Sequence, residues 1–172
     1  MRNKDWDIRL RPTEERDLET VLKLERDPAN TPFIRQWSLK QHKDSLSDAH
    51  YGHFIIEGAG AEILGYVILT GLDSPDKNIE FKRIVIADKG RGLGRKTVSL
   101  IQEKAFGELS AHRLWLDVLL ENERAFHVYK SLGFTEDGIQ REALKRGDEF
   151  LSLRLMSILS HEYLNLVCPK SL

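Results

Sequence analysis

Three glycines and four basic side chains lie together in one stretch near the middle of the chain, Lys89-Gly90-Arg91-Gly92-Leu93-Gly94-Arg95-Lys96. The stretch follows a strand-like run that ends in Ile84-Val85-Ile86, and it precedes Val98 and Ile101 at helical spacing. A glycine turn that opens a helix presents backbone N–H groups, and the helix dipole attracts negative charge. The stretch therefore predicts an anion cradle whose occupant carries phosphate.

Three interpretations of this turn compete. The simplest is a surface turn between a strand and a helix. Residues 90–97 also approach the P-loop pattern G-x-x-x-x-G-K-T, but Arg95 stands where that loop has glycine, and its Cβ would obstruct the wrap around a β-phosphate. The dinucleotide fingerprint G-x-G-x-x-G fails because Gly90, Gly92 and Gly94 alternate. The third interpretation depends on a second pattern further along the chain.

That second pattern has the spacing N-x-x-A-x-x-x-Y-x-x-x-G-F, with matches at Asn122, Ala125, Tyr129, Gly133 and Phe134. Together with the glycine turn, in the form Lys89-x-x-Gly92-x-Gly94, it resembles the GNAT superfamily of N-acetyltransferases. The family's acetyl-CoA motif is Gln or Arg, two residues, Gly, one residue, then Gly or Ala. Lys89 departs from that pattern but can still donate a hydrogen bond. The similarity extends over residues 8–159.

The resemblance implies that acetyl-CoA is the ligand, with its pyrophosphate on the N–H groups of residues 90–96 and charge added by nearby cations. It implies also that two strands, 81–86 and 114–119, splay so that pantetheine pairs with their backbone. Asn122 reaches the cofactor or only caps the helix beginning at Glu123. The predicted cofactor contacts are Ile84, Val85, Ile86, Lys89, Gly90, Arg91, Gly92, Leu93, Gly94, Arg95, Lys96 and Asn122.

Tyr129 is the predicted general acid. On pattern alone it shares a helical stripe with Ala125 and Leu132, which is typical of a core tyrosine. The resemblance implies instead that its hydroxyl protonates the CoA thiolate as the acetyl group leaves. Both interpretations place the ring against the core, so they differ only in what the hydroxyl does.

Glu80 is the leading candidate for the general base. Many family members carry a glutamate at the start of this strand, and strand alternation predicts that Glu80 shares a face with Ile84 and Ile86. Its plain alternative is an exposed carboxylate paired with Lys82. The other candidate bases are a water chain, His53, Glu57 and Asp117.

The implied reaction is direct transfer of an acetyl group from acetyl-CoA to a primary amine of a small molecule or a protein N-terminus, as in bacterial members. A sensor domain that binds acyl-CoA without turnover is the alternative. In the family the first two helices wall the acceptor. Here that segment, about residues 22–53, mixes both charges, whereas a polyamine or an aminoglycoside would prefer a more acidic wall.

Composition limits the partners. The 172 residues carry 26 basic and 27 acidic side chains, so no nucleic-acid partner is indicated. Neither a long apolar run nor an apolar leader at Met1–Trp6 is present, which predicts a cytoplasmic protein without a membrane partner. The single Cys168 excludes an internal disulfide. His42, His50 and His53 are interpreted as scattered surface residues, with no metal site, and a homodimer is plausible.

The element order predicts a mixed α/β fold (an α+β mixed sheet), with an antiparallel meander first and a β-α-β-α-β half second. The resemblance adds that the central strand pair of this GNAT-like fold is splayed. One domain spans residues 1–172, with a core of about 7–159 and a short C-terminal tail that frays. Helices are predicted at 12–26, 38–48, after the glycine turn as far as Leu109, and at 123–132. Strands are predicted at 7–11, 53–57, 62–69, 79–86, 113–119, 134–141 and 150–158, with a hairpin turn at Gly58-Ala59-Gly60.

Overall fold

A computed structural model describes residues 7–169, so the start of the chain, Met1–Trp6, lies outside the described residues. Within that range seven strands form one sheet: β1 Ile8–Pro12, β2 Tyr51–Gly58, β3 Ile63–Thr70, β4 Asn78–Ile86, β5 Arg113–Leu119, β6 Thr135–Arg146 and β7 Glu149–Leu159. The described α-helices are α1 Leu18–Arg26, α2 Leu39–Ser47, α3 Leu93–Glu103, α4 Glu123–Ser131 and α5 Ser160–Val167. None of these helices is long and apolar enough to cross a membrane.

The strand order is β1-β2-β3-β4-β5-β7-β6. Strands β1 to β4 pair antiparallel, β4 and β5 pair parallel, and β7 inserts antiparallel between β5 and β6. The β2–β3 connection is the predicted hairpin, closed by the Gly58 N–H donating to the Glu62 carbonyl at 3.0 Å. The predicted fold class, a meander followed by alternating strands and helices, is confirmed.

The two parallel strands separate partway along their length. Their ladder joins Asn78 to Arg113 and ends where Glu80 pairs with Trp115. Beyond that point β4 continues along β3 as far as Ile86, and β5 continues along β7 as far as Leu119. The predicted splay is therefore present, and it leaves an opening in the sheet between residues 81–86 and 116–119.

The sheet is packed on both faces. Helices α3 and α4 cover one face, where Leu93, Val98 and Ile101 meet Leu114 and other buried apolar residues. Helix α1 covers the other face, where Val21 packs among Ile55, Tyr66, Ile68 and Val85. Each fully buried side chain of this size contributes about 1.5–3 kcal/mol. We refer to these as the α3 face and the α1 face.

A bulge in β4 changes which side chains point to each face. Ile68 of β3 pairs with Arg83 and Leu69 pairs with Phe81, so Lys82 is an extra residue in β4. Phe81, Ile84 and Ile86 consequently all lie toward the α3 face. Glu80, opposite Thr70, lies on the α1 face. The expectation that Glu80 shares a face with Ile84 and Ile86 is therefore wrong, because alternation does not continue across a bulge.

Three element boundaries also differ from the sequence expectations. Pro12 belongs to the edge strand β1, which tolerates its missing N–H, and α1 begins only at Leu18 after a 3-10 turn at Glu15–Asp17. Helix α3 gives way to a π-helical turn, Lys104–Glu108, before Leu109. The segment after Leu159, expected as a tail, contains helix α5, whose Tyr163 stacks on Phe106 with ring centroids 4.8 Å apart.

Candidate active site

The glycine turn is shaped by left-handed backbone at its first two glycines. Gly90 has φ 93° and Gly92, the N-cap of α3, has φ 83°, a region that residues with a Cβ rarely adopt. Gly94 lies in the first turn of α3, where an added Cβ would be 3.2 Å from the Ile86 Cδ1 atom. The turn thus brings the first N–H groups of α3, which have no partner within the helix, beside the end of β4. This cradle fits a pyrophosphate.

The side chains around the turn are engaged with the protein. Lys89 Nζ donates to the Ala29 carbonyl, and Arg95 donates to Ser131 Oγ. Arg91 lies 3.1 Å from an Asp88 carboxylate oxygen. Val85 and Leu93 are buried, so only their backbone is available to a cofactor. The predicted cofactor contacts therefore remain predictions. Since these side chains are engaged or buried, most of the contacts would have to be made by backbone groups.

Sequence reasoning missed Arg124. Its Nη2 atom lies 3.8 Å from the position that a Cβ on Gly90 would occupy, which places a cation over the turn from the start of α4. The signal was available in the sequence, since Arg124 stands two residues after Asn122 in the second motif. Asn122 itself caps α4, with Oδ1 accepting from the Ala125 N–H at 3.2 Å.

Tyr129 of α4 packs as a core residue while its hydroxyl is electrostatically linked to the opening. The side chain is 9% exposed and meets Phe81 and Phe134 edge-on, with ring centroids 6.1 and 5.7 Å away. Burial first, and the charge of Asp117 second, raise the pKa of the Tyr129 hydroxyl well above its usual range. The hydroxyl therefore keeps its proton at neutral pH, which a general acid requires.

Two carboxylates meet where the strands part. Glu80 of β4 accepts a 2.7 Å hydrogen bond from Thr70 Oγ1, and Lys82 Nζ lies 3.6 Å from its other oxygen. Asp117 of β5 follows Trp115, the partner of Glu80, by two residues, so it projects to the same face. Partial desolvation and then the charge of Glu80 raise the pKa of Asp117, although the residue stays exposed to solvent. The pair can hold an ammonium group and accept its proton.

The other two candidate bases lie away from this opening on β2, which β3 separates from β4. Glu57 binds Arg9 and Arg11 at 2.5–2.8 Å, and hydrogen bonding to Arg11 and then Arg9 lowers its pKa. His53 is buried, and burial followed by the charge of His42 lowers its pKa to about 3. Neither group is brought beside Tyr129.

The interpretation of the histidines as surface residues is wrong for two of the three. His42 Nδ1 lies 3.0 Å from His53 Nε2, and both rings are buried on the α1 face, whereas His50 is exposed. His42 Nε2 in turn lies 3.2 Å from Glu25 of α1, whose carboxylate is 1% exposed. Across residues 7–169 no three His, Cys, Asp or Glu side chains converge in a way that could hold a metal ion.

Glu25 is the centre of this buried polar cluster. It accepts hydrogen bonds from Tyr66 Oη at 2.5 Å, Arg83 Nη1 at 2.6 Å and the Trp37 N–H at 2.9 Å. A signal in the sequence could have found it, because Glu25 continues the apolar stripe of Leu18 and Val21 on α1. A carboxylate on the buried stripe of a helix requires partners, and the sequence alone did not reveal them.

A mixed sheet that opens between two parallel strands, with a glycine turn and helix N-terminus beside the opening and a buried tyrosine next to it, defines the class of acyltransferases that use acyl-CoA. Residues 7–135 match the family described as acetyltransferase (GNAT) domain. The chain belongs to this family.

Relatives with known names agree with this assignment. The chain is 31% identical to the spermidine N(1)-acetyltransferase of Escherichia coli K12, over 91% of this chain and 88% of the relative. The crystal structure of spermidine N-acetyltransferase from Vibrio cholerae in complex with CoA and spermine superposes with a TM-score of 0.84 at 26% identity, covering 92% of this chain and 99% of the other. The N-alpha-acetyltransferase RimI of Mycobacterium tuberculosis is 27% identical over 61% of this chain and 65% of its own length.

The protein is an N-acetyltransferase that transfers an acetyl group from acetyl-CoA to an amine. The alternative of a sensor without turnover is not favoured. When bound, acetyl-CoA supplies the activated acetyl thioester and the thiolate leaving group, and the chain must supply the acceptor site and the proton transfers.

Proposed function

We propose that the acceptor is a primary amine of a small molecule of the polyamine class, bound at the opening between β4 and β5. The observation that carries this proposal is the pair Glu80 and Asp117, one from each parted strand, facing the α1 face. Two carboxylates on opposite sides of a gap favour a cationic amine over a neutral or anionic acceptor. The named relatives act on spermidine, which supports the same class.

The same pair of carboxylates can also remove the proton that such an acceptor carries at neutral pH. An alkylamine has a pKa of about 10.4, so presenting it neutral at pH 7 costs about 4–5 kcal/mol. In the proposed reaction one carboxylate holds the ammonium and the other accepts its proton as the amine attacks. Asp117 suits the second task because partial desolvation and the charge of Glu80 raise its pKa and make it a stronger base, while the residue remains exposed to an incoming amine.

Tyr129 completes the proposed proton transfers from the opposite side of the sheet. Helix α4 lies on the α3 face, yet the charge of Asp117 raises the pKa of the Tyr129 hydroxyl, which supports the proximity of the two groups across the opening. In this proposal the base acts from the α1 face and the acid from the α3 face. The thioester lies between them, where β4 and β5 no longer pair.

A peptide N-terminus is the second candidate acceptor. Residues 26–44 carry Arg26, Arg35, Lys40 and Lys43 against Asp27 and Asp44, an excess of positive charge that does not attract a polycation. An α-amine has a pKa near 8 and costs only about 1–1.5 kcal/mol to deprotonate at pH 7, so it depends less on a base.

Thiol release from acetyl-CoA, with product mass spectrometry, tests the proposal on spermidine and on a peptide with a free N-terminus. Spermidine should be acetylated with the higher kcat/KM. Asp117→Asn should lower that value about 100-fold at pH 7, with a smaller effect on the peptide. Faster acetylation of the peptide would transfer the assignment to the second candidate, and an absence of thiol release with both would show that the acceptor belongs to neither class.

We further propose that the protein is a bacterial-type enzyme that acts in the cytoplasm, and that it forms a homodimer. Bacterial relatives support the first part. The exposed edge strand β6, with Ile139 and with Phe150 on the adjacent β7, supports the second, since 50% and 58% of these apolar side chains are accessible. Sedimentation equilibrium of the full chain measures the oligomeric state, and a monomer at micromolar concentration would contradict the dimer.

A further inference from the structure

The connection between α1 and α2, residues 27–38, is held from outside by three basic side chains. Each of the three donates to a different backbone carbonyl of this 27–38 connection. Lys89 of the glycine turn donates to Ala29, Arg146 Nη1 of β6 donates to Pro32 at 2.8 Å, and Arg83 Nη2 of β4 donates to Arg35. The three donors come from three separate elements that are far from the connection in sequence.

Of the three donors, Arg83 is the most deeply buried and makes the most contacts with its surroundings. Arg83 is 8% exposed, pairs with Glu25 at 2.6 Å, and stacks its guanidinium over the Trp37 ring at 4.9 Å. The other oxygen of Glu25 accepts the Trp37 N–H at 2.9 Å. One buried ion pair therefore fixes the end of the connection at two backbone positions, the Arg35 carbonyl and the Trp37 N–H.

The position of Arg83 relates this anchoring to the opening in the sheet. Because of the bulge at Lys82, Arg83 pairs with Ile68 while Glu80 pairs with Thr70, two residues further along β3. Glu80 and Arg83 are consequently successive side chains on the α1 face of β4. The connection is thus attached beside the carboxylate that the proposed acceptor contacts.

The Arg146 contact comes from the far side of the opening. Arg146 ends β6, next to β7, which is the partner strand of β5. The connection is therefore attached both to the β4 side, through Arg83, and to the β5 side, through Arg146. These two attachments place the connection beside the opening, on its α1 side.

We propose that Arg83, Lys89 and Arg146 are positioning residues for the acceptor, which they serve by fixing the 27–38 connection as one wall of the acceptor site. The inference rests on the proposed function, because it takes the opening between β4 and β5 as the place where the acceptor amine binds. Removing Arg83 or Arg146, which lie outside the glycine turn, loosens the wall, so it weakens acceptor binding while leaving the cofactor cradle unchanged.

Arg146→Met gives the cleanest test, because Arg146 lies outside both apolar cores. The KM for the acceptor should rise about tenfold, whereas the Kd for CoA and kcat should stay within about twofold of the wild type. Hydrogen exchange at the amides of residues 29–37 should become faster. Arg146→Lys, which retains a donor, should restore most of the acceptor affinity.

Glu121→Gln is the matched control. Arg146 also pairs with Glu121 at 3.0 Å, so this change removes the ion pair and leaves the Pro32 contact in place. The control should leave the acceptor KM unchanged. If Glu121→Gln raised the acceptor KM as much as Arg146→Met, the ion pair and not the carbonyl contact would be responsible, and the inference would be overturned.

The deeper anchor is tested with both charges removed together, because Arg83→Met alone leaves a buried Glu25 without its partner and threatens folding. The double variant Glu25→Gln/Arg83→Met should fold and show the same selective rise in acceptor KM. If the acceptor KM is unchanged both in this variant and in Arg146→Met, the inference is overturned while the proposed function still stands. A wild-type protein that acetylates no amine overturns the proposed function, and this inference with it.

Discussion

The proposed donor half and the proposed acceptor half of this enzyme are held together by different means. The glycine turn and α3 offer the cofactor backbone N–H groups, which any sequence with glycine at the right φ can present. Helix α1, the 27–38 connection and α2 are fixed by a buried cluster of specific side chains, Glu25, His42, His53 and Arg83. We therefore expect the donor half to tolerate substitution outside its glycines better than the buried cluster, whose members are hydrogen-bonded or ion-paired to one another.

Replacing Tyr129 tests the point where the two halves meet and has the largest expected effect. Tyr129→Phe keeps the ring contacts with Phe81 and Phe134 and removes only the proton, so kcat should fall about 10²–10⁴-fold with the fold intact. Stopped-flow thiol release at saturating substrates measures kcat, and thermal unfolding checks the fold. Full turnover in this variant would assign Tyr129 to the core alone.

Breaking the buried ion pair should damage the acceptor half selectively. Glu25→Gln leaves Arg83 buried without its counter-charge, which should lower the free energy of unfolding by about 3–5 kcal/mol. Urea unfolding measures the loss. Glu19→Gln on the same helix removes only an exposed pair with Lys23, and no measurable loss is expected there. Equal stability of the two variants would contradict the assigned role of the cluster.

The buried histidine makes the acceptor half sensitive to acid. The pKa of His53 is about 3 in the folded chain, against 6.5 when exposed, so below pH 6.5 the unfolded chain binds a proton that the folded chain does not. Stability therefore falls as pH falls, by up to about 1.4 kcal/mol per unit, or about 2 kcal/mol between pH 6.5 and 5.

Urea unfolding at a series of pH values measures this slope. His53→Asn should flatten it between pH 6.5 and 5, whereas His50→Asn, at an exposed histidine beside Asp73, should leave it unchanged. A wild-type protein as stable at pH 5 as at pH 6.5 would show that His53 is protonated without loss of the fold.

A glycine replacement tests the donor half and has the smallest expected effect. Gly92→Ala imposes a left-handed conformation on a residue with a Cβ, at a cost of about 1–2 kcal/mol. The Kd for CoA, measured by calorimetry, should rise about tenfold, with the acceptor KM unchanged at saturating acetyl-CoA. Gly107→Ala is the control, because nothing lies within 4 Å of the added Cβ and its φ is not positive.

This contrast also explains what the sequence could predict. The glycine turn and the second motif consist of neighbouring residues with fixed spacing, so the family, the fold class and the splayed strands followed from local patterns. The facing of Glu80 could not be predicted, because a bulge is defined by pairing with another strand. The contacts of Glu25, His42 and Arg83 join α1, α2 and β4, and no local pattern encodes such distant partners.

The bulge at Lys82 has a consequence for how this gene tolerates change. Lys82 is exposed, so substitutions there should change the stability of the fold very little. Deletion of its single codon is a different event, because loss of the extra residue would exchange the inward and outward side chains on one side of the deletion. Either Glu80 or Arg83 would then move to the opposite face. Among natural variants of this enzyme, the residue type at position 82 should therefore vary more readily than the number of residues between Glu80 and Arg83.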